Sequence, residues 1–294
     1  MAMQRRIERI VTVPPLAPGF LGPGHLATPV VAPNDFSRTD PFILLMEDHL
    51  DLGPRLIEEP HPHAGFETIT FVLEGALDDP HEGGELAAGD VQWMTAGSGV
   101  IHGEALRVKG KVRLLQLWLT LPAAERWTAP AFRILRGDTV PVRQEIGARV
   151  RIYSGASGKI RSMTPNRVAL LLLDLEIAPH ASFEQIVPSC YNGFVFVVAG
   201  TATAGANEAS LDVGQVGWLD RSGGEDASAL RMRAGSQGAR LLLYAGEPQG
   251  EPIVSHGPFI GDSEEDIRRL FAEYRAGTFV HISTLAAPSR NPDE

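Results

Sequence analysis

The stretch His61-Pro62-His63-Ala64-Gly65-Phe66-Glu67-Thr68-Ile69-Thr70-Phe71-Val72-Leu73 carries two signals. From Thr68 onward, side chains alternate. Ile69, Phe71 and Leu73 fall on one face and Thr68 and Thr70 on the other, the period of a strand with one face in a core. Just before it, His61 and His63 stand two residues apart, so in extended backbone both imidazoles project to one side. A second pair follows downstream, His102-Gly103-Glu104. Between the pairs lie a hairpin loop over Asp78 to Gly84, a Gly89-Asp90 turn and the strand-like run Val91-Gln92-Trp93-Met94. If the two ends are neighbouring strands of a small barrel, His61, His63, His102 and Glu104 converge on one interior point. Three imidazoles and a carboxylate suit a divalent first-row metal. Without an ion, the same four groups would be costly to desolvate. Loop histidines would account for one His-x-His, but two ligand-type pairs flanking a hairpin favour a metal site.

Other candidates carry less. Gly65 permits a bend after His63, and Glu67 reads as a solvated residue at a strand start. His81 falls in the hairpin loop and reads as exposed. His25 reads as a surface residue and His49 as structural. Gly22-Pro23-Gly24-His25-Leu26-Ala27 imitates a dinucleotide fingerprint only loosely, with a proline inside it and no strand before it or helix after it. Ser98 reads as a turn residue, because Ala96 occupies the first glycine position of a nucleophile elbow. Phe42 to Met46 reads as a short buried strand. Leu114 to Leu121 reads as another, with leucines on one face and Gln116, Trp118 and Thr120 on the other.

The chain has 294 residues, which is enough for two ordinary domains, and 31 glycines and 22 prolines suit many short strands and turns. A formal net charge of −10, with no cluster of Lys and Arg, argues against direct nucleic-acid binding. The single Cys190 excludes an intramolecular disulfide and fits a reducing compartment. The first ten residues hold Arg5, Arg6, Glu8 and Arg9 with no apolar run behind them, so no signal peptide and no membrane span are expected, and a cytoplasmic location is. Residues 1–40 read as irregular, punctuated by Pro14-Pro15, Pro18-Gly19 and Gly22-Pro23-Gly24.

A shift of 125 residues brings landmarks into coincidence: Gly75 falls on Gly200, Gly89 on Gly214 and Trp93 on Trp218. The ligand-type residues do not repeat. His61 and His63 meet Ile186 and Pro188, and His102 and Glu104 meet Ala227 and Ala229. The expected organisation is therefore mainly all-β, with a metal-binding barrel over 1–149 and a second barrel without metal ligands over 150–294. Within the latter, Asp262 to Glu265 reads as a capping box opening a helix over 263–276. Ile267, Leu270, Phe271 and Tyr274 share its inner face, and Gly277 stops it.

At this point the residues resemble a known family. His61-Pro-His-Ala-Gly-Phe-Glu67, Gly89-Asp-Val-Gln-Trp-Met-Thr-Ala-Gly97, His102-Gly-Glu104, Leu115-Gln-Leu-Trp118 and His256-Gly-Pro-Phe259 are similar to the pirins of the cupin superfamily. The resemblance runs from about residue 40 to 277. It implies a bicupin, two antiparallel β-barrels face to face, with one metal held by His61, His63, His102 and Glu104. Iron is the metal it implies, other divalent first-row ions being alternatives. It implies either a quercetin 2,3-dioxygenase, with a flavonol-like aromatic substrate, dioxygen and Glu104 as the base, or a regulator binding a protein partner. The chain departs from the family at Ala64 and Ser98, where arginines are common, and in a short loop from Asp78 to Glu85. All three departures are expected to bear on the site entrance.

Overall fold

The computed structural model describes residues 3–53, 56–103, 105–222, 224 and 226–285. Strands dominate, as the alternating pattern and the abundant turn residues require. Among the described residues the one helix longer than four residues is Glu264–Arg275, and no helix is long and apolar enough to cross a membrane.

The chain divides into two compact units that exchange their ends. Met1–Pro14 joins Thr139–Pro248, and Pro15–Asp138 joins Gln249–Glu294. The division expected at 149/150 therefore needs correction at both termini. The cause lies in residues read as irregular. Ile7–Thr12 is a strand, paired antiparallel with Gln215–Leu219, and Met3–Gln4 runs parallel to Ser228 and Ala229. Arg5 between them is fully buried, donating to Asp220 Oδ1 at 3.2 Å and to the carbonyls of Pro188 and Tyr191 at 3.1 and 3.0 Å. Leaving such a buried pair half-made costs about 3–5 kcal/mol, so the first strand is fastened to its unit. His25–Val31 is likewise a strand, lying against Phe42–Leu50.

In the unit built on Pro15–Asp138, the large sheet runs in the order Ala131–Leu135, Val91–Thr95, Phe66–Asp79, Leu106–Thr120, Phe42–Leu50, His25–Val31. A smaller sheet of three strands joins His61–His63, Val100–His102 and Val280–His281. The hydrogen-bonded path of the large sheet does not close on itself; side chains from both sheets surround the interior. The other unit repeats the pairing. Phe66–Asp79 bonds to Gly84–Ala87, Val91–Thr95 and Leu106–Thr120. Asn192–Ala204 bonds to Ala209–Asp212, Gln215–Leu219 and Ala227–Gly246. The glycine landmarks have a physical reason. Gly75 and Gly200 adopt φ of 79° and 72°, and a Cβ on either would meet a carbonyl oxygen, that of Lys111 at 2.2 Å or Gly238 at 2.1 Å.

The helix starts one residue later than expected. Ser263, not Asp262, is the cap, its hydroxyl accepting from the Asp266 N–H at 3.2 Å. Ile267 and Leu270 pack with Phe259 and Phe279 around Ala64. Ala64 is fully buried there, so this departure from the family lies under the helix rather than at a site entrance. Ser98 is exposed in its turn, its N–H donating to the Thr128 carbonyl.

Candidate metal centre

Strand register builds the centre. His61–His63 pairs antiparallel with Val100–His102, setting His61 opposite His102 and His63 opposite Val100. His61 and His102 therefore share a face, and the period-2 rule adds His63 to it. One nitrogen from each of the three imidazoles lies within 4.8 Å of the others, and ring centroids stand 4.3 to 4.9 Å apart. His63 is wedged between Phe66 and Trp118, each ring 5.1 Å away. Glu104, the fourth expected ligand, lies outside the described residues.

Each outer imidazole is fixed from behind. The Glu59 carbonyl accepts from His61 Nδ1 at 2.8 Å. Glu82 Oε1 accepts from His102 Nδ1 at 3.1 Å and from the Gly103 N–H at 2.8 Å. A carbonyl and a carboxylate only accept, so in both rings Nδ1 carries a proton and Nε2 is the nitrogen left to meet a cation. His102 Nε2 is buried with no hydrogen-bond partner, and neither nitrogen of His63 makes a bond of normal geometry. Such orphaned buried nitrogens are rare in folded proteins and fit a donor set awaiting a cation.

The electrostatics point the same way. Burial, and then His102 alongside, lower the His61 pKa to about 4, with the Glu59 carbonyl opposing. Burial drives His63 well below its ordinary value, helped by His102 and His61 and opposed by the nearby Pro258 carbonyl. Both rings are thus neutral at pH 7, the form that binds metal. Burial works against the Glu82 carboxylate, but His102, Gly103 and Gln92 together hold its pKa down at about 2. Asp79, buried close by, is pushed upward by desolvation and by Glu82.

The imidazoles open on a cavity of about 770 Å3. Leu50, Ile57, Leu77, Leu86, Leu106 and Leu114 make its apolar wall. Thr70, Gln92 and Gln116 form a polar row across it, since Thr70 is in register with both glutamines. Trp118 lines it too, its buried Nε1 without a hydrogen-bond partner. Phe20, 77% exposed, sets its ring edge-on to His25 and His61.

Several readings change. Glu82 had no sequence signal beyond being an acidic residue in a short loop; in the structure it is buried against His102, Gly103 and Gln92. His25 is not a surface residue. It is 2% exposed, lines the cavity and binds Asp48 Oδ1 through Nε2 at 2.7 Å while Nδ1 accepts from the Leu21 N–H. Both of its nitrogens are therefore engaged. Glu67 is not solvated either. It is 2% exposed and accepts from Thr95 Oγ1 at 2.6 Å, its cross-strand partner. His81 is exposed. His49 bonds Glu47 at 2.9 Å through Nε2.

Comparison with known proteins agrees with this architecture. The chain is 33% identical to Pirin-1 of Arabidopsis thaliana over 267 residues, covering 86% of this chain and 88% of that protein. The crystal structure of GK1651 from Geobacillus kaustophilus superposes with a TM-score of 0.76 at 36% identity, covering 86% of this chain and all of that one. A quercetin 2,3-dioxygenase from Acinetobacter baumannii gives a TM-score of 0.79 at 24% identity, covering 95% and 99%, a likeness of fold. The pirin family model matches residues 30–119 and that of the pirin C-terminal cupin domain residues 172–280. With both cupin domains matched and the relatives covered over most of their length, the chain belongs to the pirin family.

Proposed function

We propose that the protein is a metal-dependent dioxygenase of flavonol-type substrates such as quercetin, with iron held by His61, His63, His102 and Glu104. The observation that carries this reading is the triad of imidazoles whose nitrogens lie within 4.8 Å of one another, two of the rings holding buried nitrogens without a hydrogen-bond partner, facing a largely apolar cavity of about 770 Å3. That volume falls within the ~300–1,000 Å3 typical of small-molecule sites. The apolar wall suits a flat aromatic body, and the glutamine–threonine row suits its hydroxyl groups. The Acinetobacter dioxygenase, sharing the fold, supports the choice of reaction.

A bound iron would supply Lewis acidity toward a substrate oxygen and a one-electron couple for chemistry with dioxygen. The chain supplies the rest. His61, His63 and His102 hold the ion, their tautomers set by the Glu59 carbonyl and by Glu82. The leucine wall excludes water, which strengthens each polar contact inside. Gln92, Gln116 and Thr70 orient the substrate by its hydroxyls. Glu104 accepts the proton of the flavonol 3-hydroxyl oxygen. A carboxylate beside a cation is a weaker base, so Glu104 would serve as base only at some cost in proton affinity. Dioxygen would be the co-substrate and oxidant: both of its atoms enter the ring-opened ester as one ring carbon leaves as carbon monoxide.

The test is quercetin consumption and oxygen uptake by iron-loaded protein, with His102→Ala as control. Turnover by the wild type that the variant loses is the expected result. Firm iron binding with no flavonol turnover would overturn the dioxygenase reading.

A further inference from the structure

We propose that Glu82 is the positioning residue of this centre: it holds the His102 ring and the Gly103 backbone together, and so fixes the direction from which His102 meets the ion. The proposal rests on the reading that the imidazoles bind a metal.

Glu82 lies in the turn between the strands Phe66–Asp79 and Gly84–Ala87, yet it is only 5% exposed. Its carboxylate contacts are all to the site. Oε1 accepts from His102 Nδ1 at 3.1 Å and Gly103 N at 2.8 Å, while Oε2 accepts from Gln92 Nε2 at 3.0 Å. Gln92 Nε2 also reaches the Glu82 backbone oxygen at 3.0 Å, clamping the turn to the cavity wall.

Three consequences follow from this geometry. First, an acceptor-only carboxylate forces the His102 proton onto Nδ1, which frees the inward Nε2. Second, negative charge behind the ring makes Nε2 a stronger donor to a cation. Third, the bond to Gly103 fixes a tight passage of backbone. Gly103 has φ of 82°, and a Cβ there would lie 2.9 Å from the Glu59 oxygen and 3.2 Å from the His61 ring. The chain turns left-handed past His61 at this residue, and the next one is Glu104. Without Glu82, the His102 Nδ1–H, the Gly103 N–H and the Gln92 amide would lose their common acceptor. Behind His61 the anchor is a main-chain oxygen, that of Glu59, which carries no charge.

The experiment uses full-length protein with 15N-labelled histidine and no metal, read by imidazole nitrogen–proton correlation at neutral pH, followed by titration with Co(II). In the wild type, His102 is expected as a single Nδ1–H tautomer, and in Glu82→Ala that preference is lost. Glu82→Gln can keep the tautomer through its amide oxygen but not the charge. Both variants are expected to bind Co(II) about 10–100-fold more weakly. If Glu82→Ala does not fold by circular dichroism, the Co(II) affinity of Glu82→Gln decides. An unchanged tautomer in Glu82→Ala, or Co(II) affinity in Glu82→Gln within about twofold of the wild type, would overturn the proposal. If the wild type bound no Co(II), the metal reading would fall, while the tautomer would still report whether Glu82 sets His102.

Discussion

The two units share a strand plan and differ in what faces inward. In one unit Thr70, with Gln92 and Gln116 paired on either side of it, and Trp118 line a cavity. Their counterparts by strand pairing are Val195, Gly217, Leu243 and Ala245, and the three with side chains are fully buried in one continuous apolar cluster. The residues that the 125-residue shift sets against His61 and His102, Ile186 and Ala227, are exposed. One copy has spent its interior on packing and the other on a hole ringed with nitrogen donors. Strand pairing is thus indifferent to the inward face, since backbone hydrogen bonds and twisting glycines build the same sheet around leucine or glutamine.

The difference should show most strongly in stability. Leu243→Ala opens a void in a filled core and is expected to cost about 2–5 kcal/mol. Gln116→Ala, at the matching position, removes a side chain that already borders empty space and should cost under about 1 kcal/mol. Urea unfolding monitored by tryptophan fluorescence compares them. Equal losses would mean that the first interior is as tightly packed as the second.

Acid should separate the units next. His61 and His63 have folded pKa values below the unfolded value of about 6.5, so the unfolded chain binds their protons more readily. Their contribution to the stability of metal-free protein is complete above pH 6.5 or so and is lost as pH falls toward about 4, the His61 value. Among the described residues the second unit has no such buried imidazole, its one histidine, His180, being exposed. Amide exchange between pH 7 and 4.5 is expected to rise in His61–His63 and Val100–His102 before it rises in Asn192–Ala204. Simultaneous loss would contradict the assignment.

Much of this contrast could be read in the sequence. His-x-His and His-x-Glu are legible because a strand's period is two, and Gly75, Gly200, Gly89 and Gly214 announce the repeat because a side chain cannot replace them. The inward position of Glu82 was not legible. Burial of a loop residue depends on where the turn folds, and neither propensity nor periodicity encodes that. His25 and Glu67 failed for the same reason: their partners Asp48 and Thr95 lie across strands, distant in sequence. The exchange of chain ends was hidden because residues 1–40 read as irregular: Ile7–Thr12 has no two-residue alternation to mark it as a strand, and its partner lies about 200 residues away.

The smallest effect concerns the helix, which belongs to the hollow unit. Ser263→Ala removes the cap on Asp266 and should cost about 1 kcal/mol. Because Ile267 and Leu270 press on the strand region bearing Ala64, the loss should loosen amide protection at His61–His63 and leave the second unit unchanged. Thermal unfolding with segment-resolved amide exchange reads both. Loosening of both units to the same extent would show that the helix does not serve the hollow unit alone.

The most direct test of the account is metal binding to the purified wild type and to His63→Ala, measured by equilibrium titration with Fe(II) under anaerobic conditions and by elemental analysis. The account expects one ion per chain in the wild type and almost none in the variant, whose circular dichroism stays native because the second core is untouched. Full iron occupancy in His63→Ala, or none in the wild type, would contradict it.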